Sequence, residues 1–507
     1  MAPGGRLGQP ACPGESAGGL MGRRLIIMVA ASAAAAWCTL SALAGPTGAG
    51  VVSSAGPAAK AVSWRNAIEV PGSGKLNAGG EAEVTSVSCR SAGSCSAGGS
   101  YVDGSGHGQA FVVSSRKSHW GRAIDVPGLS ALHAVGSAIF SVACGSAGDC
   151  AAGGYEKDAS GREQGLVVIQ KKGRWGKAIK VPGSAALNVG GVASVSSVSC
   201  GSAGSCAAGG YYRDGTGRVQ VFVVSEKKGR WGKAIEVPGS GALNAGGDAV
   251  VNSVSCKPGG NCVAGGLYED GSDHGQAFVV SSKKGRWGKA SKVPGSGALN
   301  AGGSAGVYSV SCGSAGNCAA GGYYRDGSGH IEALVVSEKR GRWGKAIEVP
   351  RSGALNAGGD ASVDAVSCAS AGSCSAGGSY VDGSGRVQTF VVSSKNGRWG
   401  TASEVPGSGA LNAGGAAAID SVSCASAGNC AAVGFYQDGF GHNQAFVVSE
   451  TNGRWGKGIK VPGSAALNEG GNAGLESVSC GAARSCAAGG YYRDGSGHSQ
   501  AFVVWRA

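Results

Sequence analysis

The chain has 507 residues, of which 98 are glycine and 18 are cysteine, and only 15% are charged. Glycine this abundant approaches a low-complexity composition, but hydrophobic residues still make up 42%, which excludes disorder throughout. A single hydrophobic core stops growing at roughly 250–300 residues, so the chain must contain several domains or a repeat. The charge balance is basic, with a formal net charge of +13.

The first 44 residues have the order of a secretory signal peptide with an N-terminal extension. Arg23-Arg24 precede an apolar run that ends in Ala42-Leu43-Ala44, as charged, apolar and small residues do in such signals. We expect cleavage after this tripeptide, and Met21 would be the more ordinary start. An uncleaved membrane anchor is the alternative, because the run is long enough to span a bilayer. Residues 45–60, rich in Gly, Ser, Pro and Ala, are predicted to be a flexible linker.

Eight copies of one unit follow, from residue 61 to residue 507. A tryptophan and a pair of cysteines recur in each copy, with a spacing of 55 residues once and 56 residues six times. Such a period indicates a repeat architecture in which each unit is one supersecondary element. The repeated tryptophans are Trp64, Trp120, Trp175, Trp231, Trp287, Trp343, Trp399 and Trp455.

Each unit contains four β-like runs separated by turn signals. In one unit these runs are residues 253–256, 262–268, 276–280 and 287–293. Three of the links are short hairpin turns, whereas the fourth run reaches the next unit through more than ten residues. The first two runs consist of small residues and the last two carry Phe and Trp, as expected where strands converge on an axis. This pattern is typical of a propeller blade.

The ends of the repeat indicate how the ring closes. The repeat begins with an unpaired fourth run, residues 64–70, and ends with an unpaired third run, residues 500–504. We therefore predict an all-β fold, a closed eight-bladed β-propeller of four-stranded blades. The N-terminal strand would close the ring by pairing with the C-terminal blade. An open β-array is the alternative, and it would leave two unpaired strand edges.

Sixteen of the cysteines lie in the repeat, and paired cysteines in an exported chain indicate disulfides. Zinc binding is the alternative, but the spacing is wider than usual and no His or third Cys recurs beside the pair. Cys12 and Cys38 precede the predicted cleavage site. The predicted disulfides join Cys89 to Cys95, Cys144 to Cys150, Cys200 to Cys206, Cys256 to Cys262, Cys312 to Cys318, Cys368 to Cys374, Cys424 to Cys430 and Cys480 to Cys486.

The hairpin order predicts two loop faces. The cysteine turns should share one face, the cysteine face, with the Lys-Lys-Gly-Arg-Trp turns. There the basic turns would form a ring of positive charge suited to an anionic cell-envelope polymer. Solubility and protection of an edge strand are the alternative explanation. The arginines of this ring are Arg174, Arg230, Arg286, Arg342, Arg398 and Arg454.

The Asp-Gly-Ser-Gly turns and the long loops between units should share the other face, the aspartate face. Asn, Asp, His and Tyr hydrogen-bond sugar hydroxyls, and propeller ligands dock on such faces. The predicted ligand-binding residues are Asn244, Asn300, Asn356, Asn412, His274, His330, Arg386 and His442. Turn chemistry is the alternative for these residues. The aspartate turns lack the further carboxylates of a calcium loop, so we expect neither a metal nor another cofactor.

No unit departs from the repeat to place a nucleophile, a base or a pair of carboxylates, so no catalytic residues are predicted. The tyrosine pairs at 211–212, 323–324 and 491–492 are expected to be packing residues. Near-identical copies suit repeated weak contacts. The leading hypothesis is a secreted non-enzymatic propeller that binds a repetitive extracellular ligand, with cell-wall or other polysaccharide first. The alternatives are a lyase or glycosidase with a site in the axial channel, and a structural envelope or protein-interaction scaffold.

The repeat also carries a family resemblance. Gln-Ala-Phe-Val-Val, Trp, Val-Pro-Gly, Leu-Asn-x-Gly-Gly and Ser-Val-Ser-Cys together resemble secreted bacterial β-propeller repeat proteins, and loosely the extracellular repeat family named after its His-Ala-Phe (HAF) tripeptide, across residues 61–507. Gln109, Gln276, Gln444 and Gln500 stand where that family has His, and the cysteine pair is an addition. The resemblance implies secretion and a repeat scaffold without established catalytic residues. We expect an extracellular or envelope-associated monomer that binds neither nucleic acid nor, after signal cleavage, a membrane.

Overall fold

The computed structural model describes residues 63–506, and these form a ring of eight antiparallel sheets. The predicted signal peptide, the start at Met21, the linker and both remaining cysteines lie outside the described residues. Each sheet is one blade, and the blades are numbered 1 to 8 in chain order of their inner strands. The predicted all-β, eight-bladed propeller of four-stranded blades is confirmed.

The inner strand of each blade lies next to the axis and is built from small residues. It contains a β-bulge directly before the Ser-Val-Ser-Cys motif, as between Val84 and Ser86 in blade 1. A bulge inserts one extra residue and bends the strand. The inner strands are Ala82–Ser91, Ala134–Ser146, Ala193–Ser202, Ala249–Lys257, Ala305–Ser314, Ala361–Ser370, Ala417–Ser426 and Ala473–Ala482.

The second strand is buried over most of its length between neighbouring blades. Its Cys-Ala-Ala-Gly-Gly stretch, residues 206–210 in blade 3, is fully enclosed. Small side chains are required here because the blades are close together near the axis. The second strands are Ser94–Val102, Asp149–Asp158, Ser205–Arg213, Asn261–Glu269, Asn317–Arg325, Ser373–Val381, Asn429–Gln437 and Ser485–Arg493.

The third strand supplies the large apolar side chains of the core. Phe222 and Val223 in blade 3 are completely buried, because neighbouring blades cover both faces of the sheet. The third strands are Gly108–Arg116, Glu163–Lys171, Val219–Lys227, Gly275–Lys283, Ile331–Lys339, Val387–Lys395, Asn443–Thr451 and Ser499–Arg506.

The outer strand is broken, and the prediction of one continuous run at 287–293 was wrong. Between its two pieces, the N–H of Ala290 donates to the carbonyl oxygen of Pro238 in the preceding blade at 2.8 Å, so the chain turns away from its own third strand. The first pieces are His119–Trp120, Arg174–Trp175, Arg230–Trp231, Arg286–Trp287, Arg342–Trp343, Arg398–Trp399 and Arg454–Trp455. The second pieces are Ile124–Asp125, Ile179–Lys180, Ile235–Glu236, Ser291–Lys292, Ile347–Glu348, Ser403–Glu404 and Ile459–Lys460.

Blade 8 receives its outer strand from the N-terminal part of the described chain, as predicted. Ile68–Glu69 pairs antiparallel with the last strand, with Ile68 opposite Val503. The N–H of Val70 donates to the carbonyl oxygen of Ala501 at 2.9 Å. The buried Tyr492 hydroxyl donates to Glu69 Oε2 at 3.3 Å across the same seam. The ring is therefore closed by contacts between the two ends of the repeat.

The long loop between blades contains one helical turn. In most of these loops a buried asparagine follows the helical turn. In the loop after blade 1 a short 3₁₀ turn replaces the helical turn, and His133 replaces the asparagine. The helical turns are Ser73–Leu76, Ser184–Leu187, Ser240–Leu243, Ser296–Leu299, Ser352–Leu355, Ser408–Leu411 and Ser464–Leu467, with the 3₁₀ turn at Ser130–Leu132. None of the helices within residues 63–506 has the length and hydropathy needed to cross a membrane.

All eight predicted disulfides are present. In each one the two cysteines lie directly opposite each other across the first hairpin, with Cα atoms 3.9–4.0 Å apart. In the loop-entropy model each short closed loop contributes on the order of 2 kcal/mol, less any strain. The disulfides therefore hold the inner hairpin of every blade beside the axis.

The two serines of the Ser-Val-Ser-Cys motif join each inner strand to the next. Ser197 Oγ accepts the N–H of Val254 at 3.0 Å, and Ser199 Oγ accepts the N–H of Cys256 at 2.9 Å. The same contact crosses the seam, where Ser477 Oγ accepts the N–H of Val87 at 2.9 Å. These hydroxyls satisfy backbone donors that would otherwise form an unpaired edge.

Removing one of these hydroxyls tests their contribution. We expect Ser199→Ala to lower the free energy of unfolding by about 1 kcal/mol, because the N–H of Cys256 loses its acceptor. Ala143 occupies the equivalent position in blade 2, so Ala143→Ser is the matched reverse variant and should stabilise by a similar amount. Urea unfolding of the oxidised protein measures both. Two variants indistinguishable from the parent would contradict the role assigned to the serines.

Candidate functional site

The two loop faces are arranged as the hairpin order predicts. On the cysteine face, the N–H of Gly173 in a basic turn donates to the carbonyl oxygen of Gly148 in the cysteine turn at 2.7 Å. On the aspartate face, the N–H of Glu163, directly after an aspartate turn, donates to Gly191 of the following long loop at 2.8 Å. Each face therefore carries one turn type from the inner hairpins and one from the outer segments.

The four predicted ligand-binding asparagines are buried under the aspartate face. Asn244 Nδ2 donates to the carbonyl oxygen of Val219 at 2.9 Å and to Gln220 Oε1 at 3.0 Å. Asn300, Asn356 and Asn412 make the same contact to Gly275, Ile331 and Val387 at 2.9–3.0 Å. These amides tie each long loop to the third strand that precedes it. That is a structural role, but it differs from the left-handed turn geometry of the alternative, because Asn244 has φ −82° and ψ 55°. Their contact with a ligand stays a prediction.

The other four predicted residues lie on the surface of this face. His274, His330 and His442 are exposed, while Arg386 is half-buried and donates to the carbonyl oxygen of Asn412 at 2.7 Å. The histidines are thus accessible to a ligand, whereas the guanidinium is partly engaged by the loop.

The aspartates of these turns organise their own backbone. Partial burial raises the pKa of Asp382, but hydrogen bonds from Ser384, Gln388 and the N–H of Arg386 outweigh it and lower that pKa to about 2. The carboxylate therefore stays ionised and serves as the acceptor of its turn.

Grooves lie between neighbouring blades on the outer rim of the described propeller. One groove of about 860 Å³ lies between blades 5 and 6, and one of about 610 Å³ lies between blades 3 and 4. Both open where the outer strand is broken. The two grooves occupy equivalent positions of the repeat.

The grooves are lined by cations and by tryptophan. The groove between blades 5 and 6 is flanked by Trp343 and Trp399, and the one between blades 3 and 4 by Trp231 and Trp287. None of the residues that line either groove is acidic. The basic lining residues are Lys339, Arg340, Arg342, Lys345 and Arg398 in the first groove, and Lys227, Arg230, Lys233 and Arg286 in the second.

Two of the four groove tryptophans, one in each groove, are hydrogen-bonded to the neighbouring blade. Trp399 Nε1 donates to Ser337 Oγ of blade 5 at 3.1 Å, and Trp287 Nε1 donates to Ser225 Oγ of blade 3 at 3.2 Å. Both rings are half-buried, so part of each indole faces the groove. The arginine beside each ring is exposed. A tryptophan ring held by a hydrogen bond can pack against a ring-shaped ligand, while the exposed arginine beside it binds the negative groups of the same ligand.

A second group of side chains lies beside the axis, at the bulge of each inner strand. Three of these residues are acidic and occur in consecutive blades, 6, 7 and 8. Phe140 and Tyr308, at the same position, are over one-third exposed and pack against tyrosines of their second strands. The bulge residues are Thr85, Phe140, Ser196, Asn252, Tyr308, Asp364, Asp420 and Glu476.

Tyr491 lies within this axial group. Its ring covers the inner strand at Gly474, where an added Cβ would stand 3.3 Å from the tyrosine hydroxyl oxygen. Burial raises the pKa of Tyr491, and the charges of Glu476, Asp420 and Glu83 raise it further. The phenol therefore stays protonated at neutral pH, among carboxylates from blades 7, 8 and 1.

These axial residues were missed by the prediction that no unit departs from the repeat. The bulge position holds seven different residue types in the eight blades, although its neighbours are nearly invariant within the chain. That variability was the available signal. The tyrosine pairs were expected to be packing residues. Their second members, Tyr212, Tyr324 and Tyr492, are buried as expected. Their first members lie near the axis.

No protein-family model and no curated protein matches this chain, so the resemblance to the His-Ala-Phe repeat family stays a prediction. Among solved structures it is similar to Trypanosoma rangeli sialidase in complex with sialic acid, at 10% identity and a TM-score of 0.38, over 88% of this chain and 59% of that one. It is also similar to a protein of unknown function from Dyadobacter fermentans, at 10% identity and TM-score 0.38, over 88% of this chain and 99% of that one.

A polysaccharide lyase, an ulvan lyase, is similar at 11% identity and a TM-score of 0.38, over 70% of this chain and 89% of that one. The chain spans little more than half the length of the Trypanosoma sialidases that it matches. The fold assignment therefore stands on the strand pairing described above, and the activities of these proteins belong to them alone.

Proposed function

We propose that this protein is a secreted, non-enzymatic propeller whose basic grooves bind an anionic extracellular polysaccharide. The observation that carries the proposal is the groove lined by four or five cations and two tryptophans with no acidic residue among its lining. The predicted signal peptide and the eight disulfides support export, because disulfides persist in oxidising compartments.

The charge of the grooves favours a polymer with carboxylate, sulfate or phosphate groups. Arg342 and Arg398 are exposed on either side of one groove, and a guanidinium binds such groups through two parallel hydrogen bonds. Solubility alone would be served by cations anywhere on the surface. It does not require cations clustered around a concave site without a counter-charge.

The tryptophans favour a sugar over other anionic polymers. The flat C–H face of a pyranose packs against an indole ring, and Trp343 and Trp399 both line the groove, with the ring of Trp399 held by its hydrogen bond to Ser337. Nucleic acid would offer the same charges, but it is not the expected partner of an exported chain.

The repetition of the groove favours a repetitive ligand. A single shallow groove would bind a short fragment weakly. A polymer that reaches two grooves makes its second contact as an intramolecular step, so its overall affinity rises without new chemistry. We infer that equivalent sites recur around the rim, because the two grooves occupy equivalent positions of a repeated outer strand.

The test is binding to polygalacturonate, measured by biolayer interferometry with the oxidised protein. The variant R230Q/R286Q/R342Q/R398Q removes four groove charges and is expected to bind about tenfold or more weakly, if each lost ion pair contributes a few tenths of a kcal/mol or more. The matched control K75Q/R162Q/R218Q/R351Q removes four exposed charges from the aspartate face. It should bind within about threefold of the parent, because it removes as many charges but none from the grooves. Arg162 and Arg218 also contact carbonyl oxygens of the long loops, on the face away from the grooves. Equal weakening by both variants, or by neither, would contradict the proposal.

An enzyme of the glycosidase or lyase type is the second candidate, with its site in the axial channel. The observation in its favour is the set of carboxylates around Tyr491, because glycoside hydrolysis uses two carboxyl groups. The test is turnover on a polysaccharide panel. Turnover by the parent that Glu476→Gln or Asp420→Asn abolishes, with polygalacturonate binding unchanged, would establish it. A parent without turnover on the panel would remove it.

A further inference from the structure

Blade 5 differs from the other blades at one position under the aspartate face. In six blades a glutamine donates its Nε2 to the aspartate that opens the turn, as Gln276 does to Asp270 Oδ2 at 2.8 Å. In blade 5 the equivalent residue is Glu332, which has no N–H to donate. Two carboxylates, those of Glu332 and Asp326, therefore face each other where the other blades pair an amide with a carboxylate.

The Glu332 side chain is only 9% exposed, and its Oε2 is buried without a hydrogen-bond partner. Burial raises the pKa of Glu332, a hydrogen bond from Asn356 lowers it, and the nearby charges of Glu348 and Asp326 raise it again. A buried carboxylate oxygen with no donor costs free energy that a cation beside it would recover.

His330 completes a group of three donor side chains. Its Nδ1 lies 3.8 Å from Asp326 Oδ2, and one donor atom from each of Asp326, His330 and Glu332 lies within 4.8 Å of the other two. Asp326 Oδ1 already accepts the N–H groups of Ser328 and His330, both at 2.8 Å. Its Oδ2 is thus the oxygen that faces the other two side chains. The imidazole is exposed, so water can reach the group.

We propose that Asp326, His330 and Glu332 bind one divalent transition-metal ion of the zinc type. Three nitrogen and oxygen ligands from the protein, with water in the fourth position, form a common zinc set with metal–ligand distances of about 2.0–2.2 Å. In a tetrahedral site with these bond lengths the donor atoms stand about 3.4 Å apart, so His330 Nδ1 and Asp326 Oδ2, now 3.8 Å apart, must approach by about 0.4 Å, and no pair among the three by more than about 1.4 Å. Calcium fits less well, because it takes about six to eight oxygen ligands and has no preference for imidazole. The two carboxylates balance the charge of the ion.

Calorimetric titration of the tag-free, metal-stripped, oxidised protein with zinc chloride at neutral pH tests this site. We expect one ion per chain with micromolar affinity or better, and a thermal midpoint that rises with zinc. Glu332→Gln restores the amide–carboxylate pair of the other blades, so it should fold normally. It should bind zinc at least about tenfold more weakly, as ligand loss usually does, and His330→Ala should do the same.

Blade 8 offers the converse variant. Its turn has the same Asp-Gly-Ser-Gly-His sequence, with Asp494 and His498 in place and Gln500 where blade 5 has Glu332. Gln500→Glu should therefore create a second zinc site and raise the stoichiometry from one to two. A parent that binds no zinc at about 100 μM, well above the Kd expected for such a ligand set, would overturn the proposal. So would a Glu332→Gln variant with unchanged zinc affinity, or a Gln500→Glu variant that still binds one ion.

Discussion

Deleting residues 63–70 should lower the thermal midpoint of the propeller by roughly 5 °C or more, because the deletion opens the ring. Trp64 and Val70 are almost completely buried in blade 8, and their burial alone contributes about 5 kcal/mol. Without this segment the last strand, Ser499–Arg506, becomes an unpaired edge. An exposed edge of this length also favours association between molecules.

Differential scanning calorimetry under oxidising conditions measures this effect. The matched control is Ile68→Ser, which lies in the same closing strand but is 45% exposed and keeps every backbone hydrogen bond. It should cost no more than about 1 kcal/mol, as surface substitutions usually do. A deletion variant with the midpoint and cooperativity of the parent would mean that the ring does not depend on this strand.

Gly210→Ala should lower the free energy of unfolding by about 3 kcal/mol or more, the upper range for forcing atoms into a packed site. The added Cβ would stand 1.9 Å from the carbonyl oxygen of Ser194, on the inner strand beside the bulge. Neither atom can move without breaking the ladder between the first two strands. The same close approach of 1.8–2.0 Å occurs at the second glycine of the pair in all eight blades.

The preceding glycine provides the matched control. A Cβ at Gly209 would meet only side chains, those of Val251 at 2.8 Å and Val254 at 3.1 Å, and blade 7 carries Val433 at this position. Gly209→Ala should therefore cost about 1–2 kcal/mol, because a side chain can adjust where a backbone carbonyl cannot. Urea unfolding of the two variants gives both values. Equal losses at the two positions would show that crowding between blades, and not the contact with the inner strand, excludes a side chain.

The number of blades and the closure of the ring could be predicted from the sequence, because near-identical repeats reveal both the period and the strand missing at each end. The cysteine pairing followed from the same period. The break in the outer strand could not be predicted, since residues 287–293 lie between two turn signals as a strand would. The break depends on a hydrogen bond from Ala290 to Pro238 of another blade, which no local pattern shows.

The candidate sites were predictable only in part. The arginines at the rim are visible in the sequence, but the grooves between them arise from the strand break. The asparagines suggest a binding face, yet Asn244 and its equivalents are buried by contacts with a strand distant in sequence. Asp420 and Glu476 lie beside the axis because of a bulge, which shifts the strand register in a way that simple alternation does not indicate.

The most direct test of the basic grooves is the affinity of the intact, oxidised protein for polygalacturonate fragments of increasing length, with uncharged dextran as the reference. We predict that affinity rises at least about tenfold once a fragment reaches two neighbouring grooves, falls with added salt, and is absent for dextran. An affinity independent of fragment length, or equal binding of dextran, would contradict recognition of an anionic polysaccharide by repeated sites on the rim.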